Sequence, residues 1–210
     1  MAAPGLYERL LALGSGALAV DAEPEVAAAC LSIARRLQRS GRAAIGLWPC
    51  GGAVAIPPLA LHLGDALVRL TRAHVAVIDA NVRYPAFVAG AASAPPAAAA
   101  PGEATTEAPR AIFIERWVGP SLALLIPPHA GAPGAGVRQL QLLLNAQWRS
   151  FSYLLVDLSG FDRFGDHLNA AALLDGVVLV ARAGRSSEAE LIRMRDELPP
   201  HLNLGVVLTG

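Results

Sequence analysis

The chain has 210 residues, of which 54% are hydrophobic, and its 17 basic side chains are balanced by 17 acidic ones. A net charge of zero argues against broad electrostatic binding to nucleic acid or to an anionic membrane. No apolar run reaches the roughly 18 residues of a membrane-spanning helix, and the first ten residues lack the features of a signal peptide. Cys30 and Cys50 are the only cysteines. We therefore expect a cytoplasmic protein with reduced thiols and no zinc site.

The N-terminal part of the chain alternates helical and strand patterns. A short helix is predicted at Leu6–Leu13. Pro24 suits the first turn of a longer helix that runs to about Arg39, and Gly41 suits its end. A buried strand, a packed helix and a second buried strand are predicted next, at Ala43–Trp48, Leu59–Leu70 and His74–Asp79.

Residues 86–109 are rich in Ala, Pro and Gly and have no periodic pattern. We expect a mobile surface loop there rather than a linker between domains. Further strands are predicted at Ala111–Ile114, Leu122–Ile126, Tyr153–Asp157, Gly176–Ala181 and Leu204–Leu208. Helices are predicted at Val137–Arg149 and at Glu188–Leu198, with Ser187 or Ser186 as the N-cap of the second. The pattern indicates a single α/β domain over residues 1–210, with a mainly parallel sheet and helices on both faces.

The segment Ala44–Leu67 has the order strand, loop, helix that cradles nucleotide phosphates in P-loop proteins. From Ile45 it reads IGLWPCGGAVAIPPLALHLGDAL, which aligns without a gap with the pattern IGVTSxxPGEGKTTxAxNLAxAL. That pattern belongs to the deviant P-loop ATPases that include ParA and MinD. The chain resembles this family, and in particular the cytoplasmic domain of bacterial tyrosine kinases that control capsule and exopolysaccharide export.

Four later segments carry the same resemblance in the same order. VIDANVRYP is similar to the family's LIDADxRxP, YLLVDLSG to its YxxIDxPP, DGVVLVARAGRSS to its DGVxLVxRxGxT, and LGVVLTG to its LGVVLNG; they start at Val77, Tyr153, Asp175 and Leu204. A fifth, LALLIPPHAGAP from Leu122, is similar to its LxVLPAG segment. The resemblance covers nearly all of residues 20–210. It implies a P-loop NTPase-like, three-layer α/β/α fold.

The departures from the family concentrate on the phosphate contacts. Ile56 stands where the family has its phosphate-binding lysine, and Pro57 and Pro58 stand where it has the Mg²⁺-binding Ser/Thr and the next hydroxyl residue. Proline has no backbone N–H, so two donors at the helix start are also lost. The family's two loop glycines fall on Ala53 and Ala55, and Gly51 and Gly52, just before them, are the remnant of the loop. Losing about three hydrogen bonds to charge, each worth roughly 1.5–3 kcal/mol, weakens phosphate binding on the order of a thousandfold or more. We therefore predict weak or absent binding of ATP and Mg²⁺ and no cofactor.

Two acids of the family's later motifs are retained. The resemblance makes Asp79 the general base or metal-side carboxylate of the second motif, in which Asn81 replaces the second acid. It makes Asp157 the Mg²⁺-side acid of the third motif. Because the lysine is absent, we favour a structural role for both acids, as carboxylates that cap a neighbouring loop. Trp48 and Cys50 lie in the altered loop, where we predict an apolar plug in the old phosphate site.

Two departures concern assembly. The resemblance implies ring formation through an E-x-x-R-x-x-R pattern, but the three positions here are Glu25, Ala28 and Leu31. It also implies a C-terminal tyrosine cluster, which these residues lack. We expect a catalytically inactive, regulatory or scaffolding subunit of a membrane-associated polysaccharide-export, pilus or positioning machine. The expected partner is a protein, either an active ATPase relative, a second copy or a membrane complex, with no nucleic acid and no direct membrane insertion.

Two alternatives stay open. The first is an active ATPase or tyrosine kinase with a non-standard nucleotide site, which uses Asp79, Asp157 and a relocated lysine or arginine. Arg83 and Arg110 are the basic residues that would have to reach the loop. The second alternative is a module that binds another ligand in a cavity near Trp48.

Overall fold

A computed structural model describes residues 23–51, 54–81, 86–87, 113–126, 135–147, 150–159, 161 and 166–210. Within them lie the helices α1 (Pro24–Ser40), α2 (Ile56–Thr71), α3 (Ala135–Gln147), α4 (His167–Ala171) and α5 (Glu188–Glu197). The strands are β1 (Ala44–Pro49), β2 (Val75–Asp79), β3 (Ile114–Trp117), β4 (Leu122–Ile126), β5 (Tyr153–Asp157), β6 (Gly176–Arg182) and β7 (Asn203–Thr209). The helix predicted at Leu6–Leu13 lies outside the described residues.

The seven strands form one sheet in the order β3-β4-β2-β5-β1-β6-β7. All neighbouring pairs are parallel except β3 and β4, which run antiparallel at one edge. Because the other strands point the same way, their C-terminal ends share one side of the sheet, which we call the carboxyl edge. There the register places Asp157 opposite both Asp79 of β2 and Leu47 of β1. The predicted mainly parallel α/β architecture is confirmed.

Helices cover both faces of the sheet, so the fold has three layers. One apolar cluster joins α1 and α2 to the first face, and the other joins α3, α4 and α5 to the second face. Successive strand residues point to opposite faces, so Leu47 belongs to the first cluster and Trp48 to the second. None of the described helices is long and apolar enough to span a membrane.

The bounds of α1 and α2 follow from their terminal residues. Pro24 occupies the first turn of α1, and Gly41 ends the helix in the left-handed conformation, with φ 68°. Helix α2 begins at Ile56, three residues before the predicted Leu59. The start is earlier because prolines are tolerated in a first helical turn, whose N–H groups have no partner within the helix.

The structure also differs from the sequence prediction in elements whose position depends on contacts with distant residues. Strand β3 is displaced toward the C-terminus of the predicted Ala111–Ile114, because Ile114 pairs with Ile126 of β4 and the strand continues from there. Helix α4 was not predicted, since its five residues are too short to show a helical period. Of the loop predicted at residues 86–109 only the first two residues are described, and Phe87 is fully buried rather than on the surface.

Candidate functional site at the carboxyl edge

The segment after β1 is tied to β6 and to the turn that follows it. The N–H of Cys50 donates to the carbonyl of Val180 at 2.7 Å, and the Ser186 hydroxyl donates to the carbonyl of Cys50 at 2.7 Å. Gly51 follows with φ 88°, a left-handed conformation that favours glycine. Gly52 lies outside the described residues. The remnant loop therefore leaves β1 along β6.

A carboxylate stands beside this loop. A Cβ on Gly51 would lie 3.3 Å from Oε2 of Glu190. Glu190 is held in the first turn of α5, where its N–H donates to the N-cap hydroxyl of Ser187 at 3.2 Å. Burial, followed by the negative charge of Glu190, raises the pKa of the Cys50 thiol to about 11. Cys50 is thus a neutral thiol at physiological pH, and an anion placed beside Gly51 would meet the charge of Glu190.

The start of α2 carries apolar groups at the positions that the sequence resemblance aligns with phosphate ligands. Ile56 is fully buried in the cluster beneath α1 and α2, and Pro57 and Pro58 are half-buried in the first turn. The 210 residues contain no lysine, because all 17 basic residues are arginines. This fact could be read directly from the sequence, and it excludes a lysine relocated from elsewhere in these residues.

Asp79 holds the chain that follows β2. Its side chain is fully buried and accepts hydrogen bonds from the N–H groups of Asn81 at 3.1 Å, Ala86 at 2.6 Å and Phe87 at 3.1 Å. Burial raises the pKa of Asp79, and these three donors oppose that shift. The carboxylate therefore fixes the point at which Phe87 enters the core.

Asp157 lies next to Asp79, and fewer hydrogen bonds offset the cost of burying its carboxyl group. Its Oδ1 accepts the N–H of Ser159 at 2.7 Å, while its buried Oδ2 has no hydrogen-bond partner among the described residues. Burial raises the pKa of Asp157 to about 7; hydrogen bonds from Ser159 lower it, and the charge of Asp79 raises it further. The carboxyl edge thus holds two adjacent buried carboxyl groups. Within the described residues, no group of three or more His, Cys, Asp or Glu side chains is arranged to hold a metal ion.

Trp48 does not plug the remnant loop, contrary to the prediction. Its ring is buried on the face of the sheet opposite α2, where its centroid lies 4.7 Å from that of His167 in α4. The strand alternation sends residue 48 to this face, whereas the helix that would cradle phosphate packs on the other. The Trp48 side chain is 1% exposed, and its Nε1 has no hydrogen-bond partner among the described residues.

Comparison with known proteins identifies the fold. No family model and no curated protein matches the sequence. The kinase domain of VpsO matches 96% of this chain and 97% of its own length, at 17% identity and a TM-score of 0.63. The kinase domain of the Escherichia coli tyrosine kinase ETK matches 86% of this chain and 75% of its own, at 13% identity and a TM-score of 0.61. A ParA family ATPase from Chlorobium tepidum matches 80% and 74%, at 16% identity and a TM-score of 0.51. The chain is therefore similar in structure to bacterial tyrosine kinase domains and has a ParA/MinD-type P-loop fold.

Proposed function

We propose that this protein is a catalytically inactive P-loop NTPase-like protein, working in the cytoplasm as a regulatory or scaffolding subunit. The setting we propose is a membrane-associated machine for polysaccharide export, pilus function or positioning. In this role the carboxyl edge contacts a protein partner, either an active ATPase relative, a second copy or a membrane complex. ATP and Mg²⁺ are not required for that contact.

The start of α2 is the observation that carries the proposal. A buried Ile56 offers no charge to a phosphate, and Pro57 and Pro58 offer no N–H. A helix N-terminus binds anions through its free N–H groups, so this helix has lost two of the groups that do so. The residues present therefore do not fit an Mg²⁺–nucleotide complex.

The surrounding charges support the same conclusion. Glu190 places a negative charge beside Gly51, and Asp79 and Asp157 add two buried carboxyl groups at the same edge of the sheet. A nucleotide triphosphate carries several negative charges, so these three carboxyl groups disfavour its binding unless cations offset them. Asp79 also accepts three backbone hydrogen bonds, which give it a structural reason to be present.

Direct binding and hydrolysis measurements test the proposal. Titration calorimetry with ATP and Mg²⁺ should give no saturable heat at micromolar affinity, and hydrolysis should equal the protein-free blank. The ETK kinase domain, measured in the same buffer, is the positive control for both assays. Micromolar binding of ATP–Mg²⁺ by this protein would refute the proposal.

An active enzyme with a non-standard site is the second candidate. The observation that favours it is the retained pair of acids, together with the free Oδ2 of Asp157. It requires an arginine at the loop, because lysine is absent. Hydrolysis above the blank that is lost in Asp79→Ala and kept in Asp65→Ala would favour this candidate.

A further inference from the structure

The neutral overall charge conceals a strong segregation along the chain. Residues 26–74 contain six arginines but a single acid, Asp65, although the whole chain has 17 of each sign. This segment contains most of α1, all of β1 and all of α2. The remaining residues therefore carry an excess of acid. Net charge alone is a poor guide to how such a molecule interacts with a charged surface.

Five of these six arginines lie on one outer surface; the sixth, Arg42, is half-buried and donates to the carbonyl of His201 at 3.5 Å. The buried residues of α1 are Cys30, Ala34 and Leu37. At 100° per residue, Arg35, Arg36 and Arg39 project from the opposite side of the helix, and all three are exposed.

Helix α2 continues this surface, because it packs against α1 on the same face of the sheet. Arg69 and Arg72 at its C-terminal end are exposed, and Asp65 pairs with Arg69 at 2.7 Å. We call Arg35, Arg36, Arg39, Arg69 and Arg72 the arginine face. It lies on the outer side of the α1–α2 layer, away from the sheet and from the remnant loop.

We propose that the arginine face binds an anionic lipid surface, so that the protein adsorbs to a membrane without inserting into it. Guanidinium groups stay charged at all relevant pH values and form bidentate hydrogen bonds with phosphate oxygens. Two helices lying side by side present these groups across a broad surface. Basic residues near an anionic leaflet each strengthen adsorption by roughly fivefold.

The composition of the face favours lipid over nucleic acid. Neither α1 nor α2 contains Phe, Tyr or Trp, so the two helices themselves have no such aromatic ring on which a base could stack. The exposed Trp117 lies beside this surface, with its ring centroid 5.4 Å from that of His74. The turns that end the helices are short, so no described loop between them protrudes into a groove. The surface therefore offers charge without base recognition.

Vesicle co-sedimentation of the full chain tests this proposal. Wild type should sediment with vesicles that contain phosphatidylglycerol and not with phosphatidylcholine vesicles, and added salt should release it. Arg35→Gln/Arg36→Gln/Arg39→Gln should weaken the partitioning by about a hundredfold. The matched control, Arg185→Gln/Arg193→Gln/Arg195→Gln, removes the same charge from other exposed positions and should change it by less than about threefold.

Three results would overturn the proposal. They are no sedimentation of wild type with anionic vesicles, an equal loss in both triple variants, and tighter binding to a DNA duplex than to the vesicles at the same salt concentration. Circular dichroism and thermal unfolding of both variants check that they remain folded, which is expected because the replaced side chains are exposed. Failure here leaves the proposed lack of nucleotide binding intact, since that is measured without lipid.

Discussion

At the scale of single residues, the acid pair at the carboxyl edge is the most consequential feature. Asp79 and Asp157 lie opposite each other on neighbouring strands, both fully buried. Asp79 accepts three backbone hydrogen bonds, whereas Asp157 accepts one from the N–H of Ser159 and its Oδ2 has no partner within the described part of the chain. Two adjacent carboxylates in a low-dielectric site repel each other, so the less supported one takes up a proton more readily. This difference predicts a pH dependence of stability.

Asp157 should make the protein less stable as the pH rises. Its pKa is about 7 in the folded protein, against about 3.9 in an unfolded chain. Between these values the folded state binds more protons than the unfolded state, so the free energy of unfolding falls with increasing pH and levels off above about pH 7. The side chain in Asp157→Asn cannot ionise, so the free energy of unfolding of this variant should fall much less with rising pH. At about pH 8 the variant should be more stable than wild type. Urea unfolding across this range measures the effect.

Asp175→Asn is the control for this experiment. Asp175 also accepts backbone hydrogen bonds, from the N–H groups of Ala43 at 3.0 Å and Ala44 at 2.9 Å, but lies away from the acid pair at the start of β6. Its replacement should lower stability while leaving the decline with pH in place. An unchanged pH profile in Asp157→Asn would show that Asp157 does not titrate as its burial indicates.

At the scale of elements, the two adjacent serines before α5 have different hydrogen-bond partners. The sequence left open which of them caps the helix, and the structure assigns the cap to Ser187. Ser186 instead accepts the N–H of Arg182 at 2.9 Å and donates to the carbonyl of Cys50 at 2.7 Å. Ser187 therefore caps the helix, and Ser186 joins the turn after β6 to the remnant loop.

Replacing each serine with alanine should have separable effects. Ser187→Ala removes the cap and should cost about 1 kcal/mol, with faster amide exchange at Glu190. Ser186→Ala should cost a similar amount, about 1 kcal/mol for its lost hydrogen bonds, with faster exchange around Cys50 and Gly51. Hydrogen exchange measured by NMR distinguishes the two variants, each serving as the control for the other. Faster exchange at the same amides in both would contradict the separate roles.

The elements that sequence patterns predict well are those whose burial is uniform. The strands Leu122–Ile126 and Tyr153–Asp157 have the predicted bounds, because a strand covered on both faces is a continuous apolar run. Helix α4 escaped prediction because five residues contain little more than one turn. Strand β3 was displaced because edge pairing, rather than burial, sets its position.

The candidate site was predictable only in part. The positions of Ile56, Pro57 and Pro58 follow from the order of residues along one loop and helix, which alignment captures. The approach of Glu190 to Gly51 cannot be predicted from alignment, because it joins distant parts of the chain through the packing of α5. Trp48 was misplaced for a similar reason, since the face to which a side chain points depends on strand register rather than on closeness to the loop.

At the scale of the whole molecule, a single sheet couples the two helical layers. Side chains beneath α1 and α2 fill one face, and those beneath α3, α4 and α5 fill the other. A lesion in either layer exposes the same strands, so the described elements should unfold together. The prediction of one domain over residues 1–210 also requires the layers to unfold together. Probes that report on different layers can test it.

Leu61→Ala, in the α2 layer, should lower the urea midpoints of both far-UV circular dichroism and tryptophan fluorescence by equal amounts. Leu61 is 1% exposed, so its truncation should cost about 2–5 kcal/mol. The protein has three tryptophans, so fluorescence is measured in a Trp117→Phe/Trp148→Phe background. The remaining Trp48 is buried on the opposite face, so its fluorescence responds only if the sheet transmits the loss. Leu143→Ala, in the α3 layer, should lower both midpoints in the same way. The control is Leu142→Ala, which truncates a half-exposed neighbour and should cost less than about 1 kcal/mol. Separate midpoints for the two probes in Leu61→Ala would mean that the layers unfold independently, and that residues 1–210 do not act as one cooperative unit.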